Sequence, residues 1–493
     1  MLDKMRHILS LALILMTTLC HSQGWQGEWH ASARMGGTPG QYMPFWARTG
    51  ESGILPVTSA AQVAAGGRVC GASRQGFHLE AGASFAAALA ARPYHEIQDQ
   101  PVIIDRLYVK GGWRMLHAEL GMCPRTDELG PLSLTGGNVI MTGNARNIPG
   151  LNLRTEWIYL DPKHIVGLRA NLAEYVLRDR RYVSSSRLHN KSVGFKLALG
   201  QKVDLIGGFE HWAQWGGTSP EYGPQPVSFK DYVRVFFAQG GGDGATWSDQ
   251  VNAIGNHLGR EFIRMAWRAS AFTMTFQYDK PFEDGSGMRL QNFPDGVWSL
   301  GLSLNDRNAF VTDLMYELAT TTWQSGPLHD RPATEEEMAR QDPSSPYYGK
   351  IILMGNDDYF NNGEYRSGWT YYGRPMGLPV MIPAAPEEDG RTYGFVSNRV
   401  RAHHLGVKGN AGKVPYLLRV TCSRHFGRWS RPDDRLFCMK PWQLSMGLDA
   451  DLSFMTGKLP LDFTVGVYGD LGKVLPSSAG LVLKINYNGL RFF

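Results

Sequence analysis

From residue 77 onward, apolar and polar residues alternate in stretches of roughly 8–14 residues, the period-two signature of strands with two unlike faces. In 444–454, Leu444, Met446, Leu448, Ala450, Leu452 and Phe454 share one face, and Ser445, Asp449, Asp451 and Ser453 share the other. In 461–468, Leu461, Phe463, Val465 and Val467 oppose Asp462, Thr464 and Tyr468. In 261–280 the apolar phase moves from odd positions (Ile263, Met265, Trp267) to even ones (Phe272, Met274, Phe276, Tyr278) across Ala269-Ser270-Ala271. A phase flip about small residues predicts a hairpin. The gaps also alternate. Lys110–Gly112, Asp161–His164, Gly200–Lys202, Ala269–Ala271, Asn305–Asn308, Gly409–Lys413 and Met455–Pro460 read as tight turns, whereas 121–152, 216–260, 281–296, 324–392 and 423–443 read as long insertions. In an up-and-down sheet every second connection falls at the same end. The pattern therefore predicts an all-β antiparallel barrel of about 18 strands, with its long loops on one face.

Alternation alone leaves two surroundings open: apolar residues turned to a dry interior, or apolar residues turned to lipid with charges such as Arg264 and Arg268 in the lumen. Three features favour lipid. Residues 1–22, with Lys4 and Arg6 ahead of the apolar run Ile8–Leu19, read as a cleaved secretory signal, leaving 23–493 as one barrel domain. Sixteen to eighteen strands (roughly) enclose too wide a bore to fill like a small dry barrel. The chain ends in an alternating segment closed by Phe493, as outer-membrane barrels commonly end. The expected location is the outer membrane of a Gram-negative bacterium. Mean hydropathy is −0.27, which excludes a bundle of apolar spanning helices.

With both termini periplasmic, the long insertions lie outside the cell. Phe229, Tyr232, Val233, Phe236 and Phe237 follow helical spacing after a cap at Ser228 and predict a small extracellular helical cap. Glu335–Arg340 is a second helix candidate. Near the N-terminus we read strands at about 25–34 and 61–70, with Thr58–Ala65 as an alternative luminal helix. Net charge is +5 and spread along the chain, which gives no reason to expect nucleic acid. Cys422 and Cys438 flank one loop and suit a disulfide in an oxidising compartment, or simply small unpaired side chains.

Four strings carry a family resemblance: Gly143-Asn144-Ala145-Arg146-Asn147-Ile148-Pro149, Asn252 to Gly259, Phe282 to Arg289, and Asp357 to Trp369. In this order they resemble the capsule assembly proteins of the Wzi type, in the form found in Bacteroidetes-like genomes. The resemblance implies a barrel of about 18 strands with an external helical cap. It also implies binding of exported capsular polysaccharide without catalysis, so neither enzyme activity nor a cofactor is expected. The expected partners are surface polysaccharide and outer-membrane lipid, with a monomer favoured.

Polysaccharide recognition needs flat rings for sugar faces and planar polar groups for hydroxyls, with Arg where the sugar is acidic. The loops offer Asn144, Arg146, Asp284, Arg289, Glu364, Tyr365, Arg366, Trp369, Tyr371, Arg428 and Trp429, expected to line one external basin. The plainer reading assigns Trp113, Trp157, Trp212, Trp298, Trp323 and Trp442 to interfacial belts or packing. A hydrolase is the rival. Glu210 beside His211, and His403 beside His404, cannot cooperate because strand neighbours face opposite sides. Asp284 and Asp295 would serve glycoside cleavage only with carboxyl groups about 5–10 Å apart. Ser184–Ser186 near His189 is a possible nucleophile and base, or only a loop. Asp357, Asp358, Asn361 and Asn362 resemble hard oxygen ligands for Ca²⁺ but lack EF-hand spacing. A passive channel for anionic solutes or oligosaccharides, with Arg106, Lys110, Arg264 and Arg268 in the lumen, is the remaining alternative.

Overall fold

The computed structural model describes residues 25–73, 76–91, 100–246, 249–250, 253–324, 331–332, 334–340, 351–352, 357–429, 435–457, 459–487 and 491–492. The expected signal, residues 1–22, lies outside them, as does Asn252.

Eighteen antiparallel strands close into a barrel. They are β1 Trp25–Gly37, β2 Ala60–Ala72, β3 Phe77–Ala90, β4 Val102–Trp113, β5 Leu116–Met122 and β6 Gly150–Thr155, the last continued by Ile158–Tyr159. Then follow β7 Val166–Val176, β8 Arg187–Leu199, β9 Val203–Trp215, β10 Asn256–Arg268, β11 Phe272–Phe282 and β12 Gly296–Leu304. β13 Asp313–Thr320, β14 Val400–Ala411, β15 Val414–His425, β16 Trp442–Asp451, β17 Leu461–Gly472 and β18 Ser478–Tyr487 complete the wall. β18 returns to β1, with Ala31 opposite Tyr487 and Gly37 opposite Leu481, and Phe492 continues the seam opposite Gly27. Closure leaves no open edge, as lipid requires.

The two faces separate as the alternation predicts. Phe195, Ile263, Leu300, Leu448, Val467 and Leu481 are exposed on the outer wall. Asp449, next to Leu448, faces inward and pairs with Arg419 at 2.9 Å. Glu210 turns into the lumen toward Arg260, while His211 turns outward to His257. His404 contacts the luminal Leu132 carbonyl at 2.8 Å, whereas the exposed His403 meets Tyr316.

Some boundaries differ from the sequence reading. Residues 60–72 are strand, and the helical turn of this region is α1, Phe45–Arg48. The tight turn expected at Lys110–Gly112 is instead Arg114–Met115. Gly111-Gly112 signals a turn locally, but in the wall Gly112 makes room for His78, whose ring would meet a Cβ there at 1.9 Å. The predicted helix forms as α2, Phe229–Phe236, with a capping box between Ser228 and Asp231. The second candidate forms as Glu335–Met338, capped by Thr334. Cys422 and Cys438 stand as separate, exposed thiols.

The main core lies inside the barrel. Met43, Phe45 and Trp46 of the β1–β2 connection pack with Val139, Ile140 and Met141 of the β5–β6 connection and with Tyr359, Phe360, Trp369, Tyr371 and Phe395 between β13 and β14. The wall residues they meet include Leu188, Trp212, Leu258, Val297, Ala319 and Val400. All six lie at the ends of their strands nearest the long connections, so the plug fills the outer end of the lumen.

Polar bonds fasten it. The strap formed by 123–149 donates Ser133 Oγ to Glu317 at 2.7 Å and Val139 N to Asp279 at 2.8 Å. Asn147 Nδ2 reaches the Asp105 carbonyl at 3.1 Å. The strap passes so near β14 that a Cβ at Gly406 would lie 2.4 Å from Leu132 O. The amide of Phe45 in α1 donates to Asp470 at 2.8 Å, and Trp46 Nε1 donates to Thr421 at 3.1 Å.

Candidate functional site

The loops expected to converge do converge, but they pack on one another instead of opening a basin. Asn144 donates to Pro375 O at 3.1 Å, and Trp369 Nε1 donates to Ile140 O at 2.7 Å. Arg146 is buried, lies 3.9 Å over the Tyr372 ring and reaches Gln100 at 3.1 Å. Tyr365 is buried with its hydroxyl on Gly216 O at 3.2 Å, and Tyr371 packs edge-on against Tyr372. These five residues lock the plug. Whether a loop aromatic meets water or meets another loop is decided by which loops enter the lumen, and local composition does not carry that.

The other six expected residues lie nearer the surface. Glu364 accepts from Thr246 Oγ1 and adjoins Asp249, whose carboxyl is pushed up to about 7 by burial and then by Glu364. Arg366 pairs with Glu221 and lies 4.6 Å over the Tyr182 ring. Arg428 pairs with Asp358, and Arg399 lies 3.3 Å over the Trp429 ring. Asp284 and Arg289 are exposed.

The rival sites separate. Asp295 is wholly buried and accepts from the amides of Thr322, Trp323 and Gln324 at 2.9, 2.9 and 2.7 Å, so it shares no open face with Asp284. Ser186 is buried against Gln214. His189 bonds Glu174 at 2.6 Å on the outer wall, beside Tyr232 and Phe236 of α2. Asp358 is engaged by Arg428, Asn361 and Asn398. Among the described residues, no group of three or more His, Cys, Asp or Glu is arranged to hold a metal ion.

An open cleft lies elsewhere on the outer end. It occupies about 290 Å³ between the β1–β2 connection, the 373–386 segment and the outer ends of β15 to β18. That is the lower end of small-molecule sites, which run roughly 300–1,000 Å³. Tyr42 offers a half-exposed ring at its rim, and Arg48, held by its Nε bond to Met43 O at 3.2 Å, offers a guanidinium. Asn144, Ser423, His425 and Gln443 supply polar groups. Of the expected residues only Asn144 lines it. Pro375, Pro379, Pro383 and Pro386 recur along one wall, and this spacing was the available sequence signal. Proline fixes φ and removes a donor, which limits pairing along this wall to two short ladders, with Pro375 opposite Thr370 and Pro383 opposite Phe395.

The luminal cations named for the channel alternative are all matched by carboxylates. Arg264 meets Glu128 at 2.6 Å, Arg268 meets Asp204 at 2.5 Å, Arg106 meets Asp105 at 3.2 Å and Lys110 meets Glu80 at 3.9 Å.

A closed wall with an apolar exterior, a charged lumen and a packed outer plug defines an outer-membrane β-barrel of Gram-negative type. No protein-family model and no curated protein sequence matches the chain. Among solved structures it is similar to Wzi of Escherichia coli, an outer-membrane protein involved in group 1 capsule assembly and a carbohydrate-binding β-barrel. That match has a TM-score of 0.56 at 10% identity and covers 97% of this chain and 87% of that one. It is also similar to OccAB2 of Acinetobacter baumannii, with a TM-score of 0.50 at 9% identity, covering 96% of this chain and 99% of that one. At these identities the likeness is one of fold.

Proposed function

We propose that this barrel is a lectin-like outer-membrane protein that binds exported capsular polysaccharide and helps assemble or anchor it at the cell surface. The observation that supports this reading most is the plug. Loops that would leave a wide bore if they faced outward instead fill its outer end with buried aromatic side chains. A barrel so filled suits holding a ligand on its rim better than passing solutes. The matched luminal charges weigh the same way, since an anion-leaning pore needs cations that face its water unpaired.

The cleft beside Tyr42 and Arg48 is the proposed contact, extended across the rim by Asp284, Arg289, Arg366 and Trp429. The Wzi structure, described as carbohydrate-binding, shares the fold and makes this ligand class the first to test. Many weak contacts along one polymer would add through multivalency.

The test is surface plasmon resonance of the detergent-solubilised protein over immobilised capsular polysaccharide from the producing strain. We predict binding that Tyr42→Ala and Arg48→Gln each weaken by about tenfold. Full binding by both variants would remove the cleft from the site. No binding by the unaltered protein, together with a steady current in a bilayer, would favour the channel.

A further inference from the structure

The plug divides the lumen, and the inner part has a lining of its own. A cavity of about 290 Å³ lies on the inward faces of β6, β7, β8 and β10 beneath the strap. A second, of about 450 Å³, shares Glu128, Asn152, Arg169 and Tyr175 with it. Four primary amides converge on the smaller cavity: Asn138 from the strap and Asn152, Asn171 and Asn190 from three adjacent strands. Asn171 Nδ2 donates to Asn190 Oδ1 at 2.6 Å, and Asn152 Nδ2 donates to Glu119 at 3.1 Å. Asn152 Oδ1 is buried and has no hydrogen-bond partner.

Trp157 completes the wall. The sequence reading assigns it to an interfacial belt or to packing; its ring lies 4.8 Å from the guanidinium of the luminal Arg169 and lines this cavity. It stands in the break between Gly150–Thr155 and the continuation Ile158–Tyr159, toward the end of the barrel that carries the short turns, which turns this side of the cavity to the periplasmic end. The strap, through Asn138 and Glu128, forms its roof.

Charge decides the ligand class. Arg154, Arg169 and Arg260 line the cavity with Glu156, Glu128 and Glu210, paired at 2.8, 3.0 and 2.7 Å. Cations and anions balance, so a polyanion or phosphate would meet three carboxylates with no surplus of positive charge. Amides pair well with adjacent hydroxyls, which both donate and accept. An indole face suits the apolar side of a sugar ring.

We propose that this vestibule is a second saccharide site, entered from the periplasmic side, that takes a short uncharged oligosaccharide. It stands on its own lining and is independent of the outer cleft. The protein then meets saccharide on both sides of the strap.

The test is isothermal titration of the full chain, folded in detergent, with maltotriose and triacetylchitotriose as neutral probes and trigalacturonate as an acidic one. We expect at least one neutral probe to bind at millimolar concentration and the acidic probe to bind more weakly. Trp157→Ala and Asn152→Ala should each weaken that binding by about tenfold, and Tyr42→Ala should leave it unchanged. Asn171→Asp, which keeps the side chain's size and adds a charge, should weaken it too, and covers the case in which Trp157→Ala misfolds. No neutral binding, or neutral binding lost with Tyr42→Ala and kept with Trp157→Ala and Asn171→Asp, overturns the proposal. Loss of outer polysaccharide binding with the vestibule variants' pattern intact would overturn only the outer reading.

Discussion

At the scale of single residues, the wall is most sensitive where one cation serves two carboxylates. Arg260 holds Glu210 at 2.7 Å and Asp279 at 3.1 Å, and donates to Gly137 O of the strap at 2.7 Å. The guanidinium fork suits this three-way contact, which an ammonium would not reproduce. Arg260→Met would leave two buried carboxylates facing each other, and breaking a buried pair typically costs about 3–5 kcal/mol. We predict destabilisation of that order in urea titrations of the detergent-folded barrel followed by tryptophan fluorescence. A change under about 1 kcal/mol would place the bracket among surface-like pairs. This triad also shows what was legible. That Glu210 and His211 face opposite sides follows from alternation alone, because period two is a local property of the chain. That Glu210 and Asp279 share Arg260 depends on register across β9, β10 and β11, which no single strand's sequence states. Trp369 marks the other limit. A tryptophan among Asn, Gly and Arg reads as an exposed ligand contact, and the structure buries it completely, with its indole N–H on Ile140 O.

At the scale of elements, most strands and tight turns and α2 were readable because their signals are short-ranged: alternation, small residues and a cap with helical spacing. Gly111-Gly112 misled because its small residues serve packing inside the wall. The strap and the 357–398 segment were readable only as insertions, since their burial depends on the bore they enter. Their docking carries a pH dependence. Burial raises Asp295 to about 6, Asp249 to about 7 and Asp357 to about 7 from a usual value of 3.8. In the last two, Glu364 and Asp284 respectively add repulsion. Raised folded-state values mean that the native loops bind protons the unfolded chain has released. The stabilisation is full below about 3.8 and is lost as pH rises through 6 and then 7. We predict that limited proteolysis of the outer loops in detergent proceeds several-fold faster at pH 8.5 than at pH 5.5, with the protease's own pH dependence measured on a peptide. Equal corrected rates at the two values would contradict the assignment of these carboxyls to the docking surface.

At the scale of the whole molecule, two apolar phases do different work. Leucines, valines and phenylalanines on the outer wall face lipid, while loop aromatics form a separate core inside the cylinder. The sequence pattern reports the first directly and hides the second, because a luminal core is assembled from three connections far apart in the chain. That inner core is the observation that supports the proposal of a barrel that holds ligands at its rim. The most direct measurement is the current through the purified protein reconstituted in a planar bilayer. The proposed reading of the plugged outer lumen predicts no steady conductance at moderate voltage and neutral pH. A steady ohmic current, reproducible from one insertion to the next, would contradict it.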